Sequence, residues 1–254
     1  MSAQTIKVLT YNIHKGFSAG NRRFVLHEIK QAVIETAADI VFLQEVYGEH
    51  QQLQQTLGNW PQNSQIEFLA DSIWSFHAYA RNAVYAAGHH GNAILSKYPI
   101  IEWDNINVSL FKQASRSLLH AKVTIPGYAL PLHLICVHLG LFGFERRKQF
   151  RTLVRRIKSH IPENEPLLIG GDFNDWTLRA RHLMQDELGI TEVFKAQHGH
   201  YAKSFPVWMP LLKMDRIYSR GLTALDTQQL KGPYWRKLSD HTPLLAEFEL
   251  PVSD

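Results

Sequence analysis

Cysteine is almost absent. A single residue, Cys136, in 254 excludes an internal disulfide framework and any multi-cysteine zinc or iron–sulfur site. It stands in the apolar run 134–137 and is expected to be a small buried hydrophobe. No apolar run approaches the roughly 18 residues that a membrane span needs. Met1 to Thr5 is short and polar and leads straight into Ile6, Val8 and Leu9, without the basic start and apolar stretch of a signal peptide, so a cytoplasmic protein is expected. Linkers rich in proline, glycine or serine, low-complexity tracts and fixed-period repeats are missing as well, and one domain over 1–254 is expected. Neither sign of charge dominates. The 27 Lys and Arg against 23 Asp and Glu leave a formal net charge of +4, which permits a phosphate-rich partner without demanding one.

What is present is core material. Hydrophobic residues at 45% with 20% charged exclude disorder, collagen and coiled coil as the main content. Short runs with strand character recur at 6–11, 40–44, 66–70, 76–81, 93–96, 118–125, 132–138, 167–169, 214–218 and 244–248. Helical spacing appears at Phe24, Ile29, Ala32 and Val33, with Asn21 as the expected cap. It recurs at Phe150, Leu153, Val154, Ile157 and Ile161, stopped by Pro162, and a third, shorter helix is expected around Leu178, Leu183 and Met184. Strands outnumber helices and often follow one another directly. The expected fold is α/β, two packed sheets with helices outside.

Five polar constellations fall at the ends of the expected strands: Thr10 to Gly16, Leu43-Gln44-Glu45, Val137-His138-Leu139-Gly140, Gly170 to Asp175, and Ser239-Asp240-His241, the last preceded by Met214-Asp215-Arg216. Each is bland alone. A Gln-Glu after a strand is commonly a solvated turn, Gly-Asp-x-Asn-Asp a turn or helix cap, and His138 a satisfied core histidine. Together they describe chemistry. Glu45, Asp172, Asp215 and Asp240 are hard oxygen donors, and Asn12 and Asn174 add neutral oxygens, a set that suits Mg²⁺ or Mn²⁺ rather than zinc. His138 and His241 suit proton donation to a charged oxygen. The combination fits metal-assisted hydrolysis of a phosphoester.

The order of these motifs resembles the endonuclease/exonuclease/phosphatase superfamily, the fold of DNase I, apurinic endonucleases, neutral sphingomyelinases and inositol-polyphosphate 5-phosphatases. The resemblance runs from Thr10-Tyr11-Asn12 to Ser239-Asp240-His241 and includes Gln44-Glu45, the strand from Gly91 to Ser96, Arg116, Gly171-Asp172-Phe173-Asn174 and Met214 to Tyr218. Tyr-Asn-Ile-His-Lys-Gly, Gly-His-His-Gly-Asn-Ala and the Phe-Pro…Pro-Leu-Leu stretch are similar to the bacterial YbhP-like branch. The resemblance implies a four-layer α/β sandwich with two central, mostly antiparallel sheets. It implies that Glu45 is the principal metal ligand, with Asn12 and Asp240 nearby. Asp172 would orient or deprotonate the attacking water and Asn174 would bind the scissile phosphate. Asp215 would fix the tautomer of His241, His138 would be a second donor, and Arg116 would neutralise charge on the phosphorane. Apurinic endonucleases carry Tyr-x-Pro-Asn-Gly where this chain has Val137 to Gly140, so abasic-site repair is not expected.

Three features bear on substrate. The helix expected over 144–160 carries Arg146, Arg147, Lys148, Arg151, Arg155, Arg156 and Lys158, a face able to track a phosphate backbone or an anionic membrane surface, or simply a solvated one. The loop 205–212, with Trp208 and Met209 between Pro206 and Pro210, suits insertion into acyl chains or base stacking, or burial. His89 and His90 lead into Asn92 on a glycine-flanked segment and are candidates to contact substrate. The expected activity is that of a Mg²⁺- or Mn²⁺-dependent phosphodiesterase or nuclease. Alternatives are a phospholipid or sphingomyelinase-like head-group phosphodiesterase and a phosphomonoesterase on inositol or sugar phosphates. A binding module on a dead scaffold is opposed by the intact acidic and histidine set. Expected partners are a phosphate-ester substrate, nucleic acid or anionic phospholipid, with peripheral membrane contact only, and a monomer is expected.

Overall fold

The computed structural model describes residues 4–71, 73–110, 116–178 and 181–251, with 181–183 as backbone only. The strands are β1 (Thr5–Asn12), β2 (Ile40–His50), β3 (Phe76–Tyr85), β4 (Gly88–Ser96), β5 (Ile100–Asn107), β6 (Ser117–Val123), β7 (Leu132–His138), β8 (Leu167–Asp172), β9 (Thr191–Glu192), β10 (Asp215–Arg220), β11 (Thr223–Gln229) and β12 (Leu244–Glu249). The helices are α1 (Leu26–Glu35), α2 (Gln51–Thr56), α3 (Gln65–Ala70), α4 (Gly143–His160), α5 (Arg181–Leu188) and α6 (Val193–His198).

The strands form two six-stranded sheets, ordered β11-β12-β1-β2-β4-β3 and β5-β6-β7-β8-β10-β9. Each contains one parallel pair, β1 with β2 and β7 with β8. The other pairs are antiparallel. The sheets pack face to face: Val8, Ile40, Phe42 and Ile94 of the first meet Leu119, Leu134, Cys136, Leu168 and Ile217 of the second in one buried cluster. Period-2 alternation sends Leu9, Tyr11, Val41 and Leu43 outward, where they pack against α1 and α3. Ile135, Val137, Leu167 and Ile169 likewise pack against α4. Strands buried on both faces need apolar residues at consecutive positions, which is why they read as continuous runs rather than alternating ones.

Gly170 sits where the sheets approach. A Cβ there would come within 2.4 Å of the Phe42 ring, so the small residue and the large one are complementary. Truncating Phe42 to Ala would cost about 3–5 kcal/mol.

Several local expectations are corrected. The run 66–70 is not a strand but helix α3, nucleated by a capping box in which Ser64 Oγ accepts from the Glu67 N–H and Glu67 Oε2 from the Ser64 N–H, at 3.3 and 3.0 Å. Asn21 is not a cap: it lies in a turn with φ 56°, and α1 follows Val25 without a side-chain cap. Leu178, with φ 58°, precedes the third helix rather than belonging to it. Edge strands β5 and β11 carry mostly exposed residues and give no apolar run. No helix among the described residues is long and apolar enough to cross a membrane.

Candidate functional site

Strand register assembles the site. In the second sheet His138 is opposite Asp172, and Asp172 is opposite Asp215. In the first sheet Asn12 is opposite Gln44, and Glu45 follows at φ 58°, where the β2–β4 register shifts between Leu43 and Val46. That irregularity re-aims the Glu45 side chain. A hydrogen bond joins the two rows: Asn12 Nδ2 donates to Asp172 Oδ2 across the sandwich at 3.3 Å.

Asp172 is the hub. Its Oδ1 accepts from the Asn174 N–H at 2.9 Å, while His138 Nε2 and His241 Nε2 lie 3.6 and 3.9 Å from Oδ2. Burial raises its carboxyl to about 6, with the Asp215 charge adding to the shift and His241 opposing it. His241 Nδ1 donates to Asp215 Oδ2 at 2.7 Å. Burial works against its charge, but Asp215 outweighs it and raises the imidazole to about 10. His138 behaves oppositely, since burial and then the Arg116 guanidinium hold it well below the ordinary histidine range and therefore neutral. Asn174 is turned by φ 49° and tied through Nδ2 to the Leu139 carbonyl at 2.9 Å.

Glu45 and Asp240 form the acidic mouth. His14 Nδ1 lies 3.9 Å from Glu45 Oε2 and 3.4 Å from Asp240 Oδ2, and Lys15 Nζ donates to Glu45 Oε2 at 2.7 Å. Burial alone would raise the Glu45 carboxyl, yet the positive neighbourhood of His138, Lys15 and His14 brings it below the usual range. With His138 neutral, the direct ammonium contact of Lys15 leads what lowers it. Ser239 Oγ donates to the Asn12 carbonyl at 2.7 Å and ties this segment to β1.

Among the described residues no three His, Cys, Asp or Glu side chains form a ready-made metal cage. Glu45, Asp240 and Asn12 instead offer two carboxylates and an amide, and Mg²⁺ is commonly held by one or two carboxylates together with water and substrate phosphate. Buried polar atoms without a hydrogen-bond partner gather here. They include His14 Nε2, His90 Nδ1, Asn92 Oδ1, Arg116 Nε and Asp215 Oδ1 among the described residues. Such groups call for a ligand or water.

The substrate candidates divide. His89 and His90 are neighbours on β4 and face opposite ways. His89 turns from the site to Tyr79, whose hydroxyl lies 3.1 Å from its Nδ1, whereas burial and the charges of Lys15 and Glu45 act on His90, lowered to about 4. Asn92 Nδ2 donates to the Ser117 carbonyl at 3.1 Å. Trp208 is exposed, on a loop laced to the site by the Val207 N–H donating to the Asp240 carbonyl at 2.7 Å and by Phe205, whose ring centroid is 4.9 Å from that of His241. Arg216, next to Asp215, is fully buried on the other side, against Asp175, Tyr218 and the Tyr201 ring. His14 and Lys15, inside the Thr10 to Gly16 constellation, join the site through Asp240 and Glu45. The signal available was their position between the Asn12 strand end and Gly16, a glycine with φ 82°.

A model of the Endonuclease/Exonuclease/phosphatase family matches residues 9–241. The chain is 47% identical over 246 residues to the uncharacterized protein YbhP of Escherichia coli (strain K12), covering 97% of each. It superposes on the endonuclease/exonuclease/phosphatase from Bacteroides vulgatus with a TM-score of 0.76 at 18% identity, covering 98% of this chain and 100% of that one. D. rerio TDP2 complexed with single strand DNA product gives a TM-score of 0.67 at 20% identity, covering 96% and 99%. Motif order, sheet pairing and these likenesses agree: the chain belongs to the endonuclease/exonuclease/phosphatase family.

Proposed function

We propose that this chain is a divalent-metal-dependent phosphodiesterase that hydrolyses its substrate by in-line attack of water. The observation that carries the reading is the meeting at Asp172 Oδ2 of Asn12, His138 and His241, at 3.3, 3.6 and 3.9 Å, beside the acidic pair Glu45 and Asp240. Glu45, Asp240 and Asn12 would hold Mg²⁺ or Mn²⁺, whose chemistry when bound is to polarise a phosphoryl oxygen.

The chain's own groups supply the rest. With its carboxyl near 6, Asp172 is ionised at neutral pH and basic enough to take a proton from water. Asn12 and the Asn174 N–H hold that carboxylate in one orientation. Asp215 orients His241 and keeps the ring charged, so Nε2–H is left to donate to a phosphate oxygen. Neutral His138 is a second donor, to the phosphate or the leaving oxygen. The Arg116 guanidinium, whose buried Nε has no hydrogen-bond partner among the described residues, neutralises charge growing on phosphorus oxygens.

The fold neighbour crystallised with a single-strand DNA product supports including polynucleotides among the diesters tested. The test is a panel in Mg²⁺: bis(p-nitrophenyl) phosphate, single-stranded DNA, RNA, phospholipid vesicles and p-nitrophenyl phosphate. Diester cleavage that a chelator abolishes is expected. Phosphate released only from the monoester would replace the reading by a phosphomonoesterase.

A further inference from the structure

Three segments leave the second sheet at the edge that carries the candidate site. Residues 139–142 follow His138, residues 173–178 follow Asp172, and residues 204–214 lead into Asp215. All three expose large apolar side chains. Leu141, Phe142 and Phe144 are exposed on the first segment and at the start of α4, Trp176 on the second, and Trp208 and Leu211 on the third. Phe142 and Trp208 are each 60% exposed. Scattered apolar residues on a surface need no explanation, but a cluster from three loops at one edge marks an interaction surface.

Local structure holds this rim outward. The Phe142 and Phe144 rings stack with centroids 6.0 Å apart, and the Arg146 guanidinium lies over the Trp176 ring at 4.9 Å. Leu211 and Leu212 N–H groups both donate to the Phe205 carbonyl, at 2.9 and 2.8 Å, which pins the hairpin bearing Trp208. Immediately behind Phe144, the outer face of α4 presents Arg147, Lys148 and Arg151 to solvent, while its first acid, Glu145, is buried.

Base stacking uses π-faces, and Leu141 and Leu211 have none. A mixed aromatic and aliphatic rim backed by exposed cations has the composition that settles at the headgroup level of a negatively charged bilayer. We propose that this rim docks on an anionic phospholipid surface and sets the site edge against the headgroups. The docking stands independently, but its consequence, that membrane phosphodiesters are presented to Asp172, rests on the phosphodiesterase reading.

Flotation of the full chain with vesicles tests this, using phosphatidylcholine alone and phosphatidylcholine mixed with phosphatidylglycerol. Binding is expected to the mixed vesicles, with little to phosphatidylcholine alone, and is expected to weaken as salt is raised. Phe142→Ser with Phe144→Ser should lower partitioning roughly tenfold or more. That variant should keep its Tm, because both rings are exposed, and should keep hydrolysis of bis(p-nitrophenyl) phosphate. Arg147→Glu with Lys148→Glu should weaken binding to anionic vesicles by about tenfold or more. No binding to mixed vesicles, or binding undiminished in both variants, overturns the proposal. So does a ring variant that loses single-stranded DNA instead of vesicles, which would give the rim to nucleic acid. Vesicle binding without hydrolysis of any diester keeps the docking and rejects the phosphodiesterase. Diester hydrolysis without vesicle binding does the reverse.

Discussion

His241 Nδ1 donates to Asp215 Oδ2 at 2.7 Å, and both side chains are buried. The carboxylate therefore sets the charge and the orientation of the ring. Asp215→Asn keeps the shape and removes the charge. Turnover on bis(p-nitrophenyl) phosphate should fall roughly 10²-fold or more. NMR titration should show His241 losing its proton at a lower pH than in the native chain. Unaltered titration would mean that Asp215 does not control the ring.

Asp172→Asn separates a base from a structural carboxylate. Asn retains an acceptor for the Asn174 N–H but cannot take a proton. Turnover should fall roughly 10²- to 10⁴-fold with little change in KM. Its Tm should change little, because relief of a carboxyl raised to about 6 by burial offsets the lost hydrogen bond from Asn12 Nδ2. Near-normal turnover would reduce Asp172 to a cap for the turn at Asn174.

The candidate site is legible because its residues close strands whose apolar runs are easy to see. His138 ends β7 and Asp172 ends β8, and parallel pairing brings such ends to one edge. What stayed hidden follows from chemistry that a run of letters does not display. Residues 66–70 are too few for periodicity to choose between strand and helix, and the deciding signal is Ser64 with Glu67. β11 is an edge strand, mostly exposed, so selection for a core never wrote an apolar pattern into it. His89 and His90 read as a pair, yet period-2 geometry sends only one toward Lys15 and Glu45. Lys15 carries no local signal, because its partner Glu45 lies thirty positions along the chain.

Metal binding should be visible without any substrate. Glu45 and Asp240 are held near a lysine and a histidine, so a divalent cation must compete with the Lys15 ammonium for Oε2. Mg²⁺ or Mn²⁺ should raise the Tm of the native chain, as any ligand specific for the folded state does. In Glu45→Gln that rise should shrink, measured against the variant's own metal-free Tm. A chelator should abolish diester hydrolysis. Full activity in metal-free buffer would reject the assignment.

The loop that carries Trp208 contains two kinds of aromatic residue. Phe205 is half-buried against His241, and Trp208 faces solvent. Phe205→Ala should lower both the Tm and the turnover of a small soluble diester, the latter roughly tenfold or more, because the ring helps position His241. Trp208→Ser should change stability by no more than about 0.5 kcal/mol. Its effect should be confined to the affinity for a macromolecular or vesicle-borne substrate. Equal losses of Tm in the two variants would show that Trp208 packs into the fold.

Glu192 offers a pH test away from the site. It is buried at the start of α6, where Oε2 accepts from the Lys195 N–H at 2.8 Å and Oε1 has no partner among the described residues. Burial raises its carboxyl from 4.5 to about 7, against backbone hydrogen bonds and Arg216 that favour the charge. The folded chain therefore keeps this proton over a range in which the unfolded chain has lost it. Its contribution to stability is full below pH 4.5 and is lost as pH rises through 7, a change on the order of 3 kcal/mol. Glu192→Gln keeps an acceptor for Lys195 and is neutral at every pH. Relative to the native chain it should gain Tm at pH 8 and show little or no gain at pH 4.5. An identical Tm difference at the two pH values would mean that the Glu192 carboxyl titrates alike in the folded and the unfolded chain.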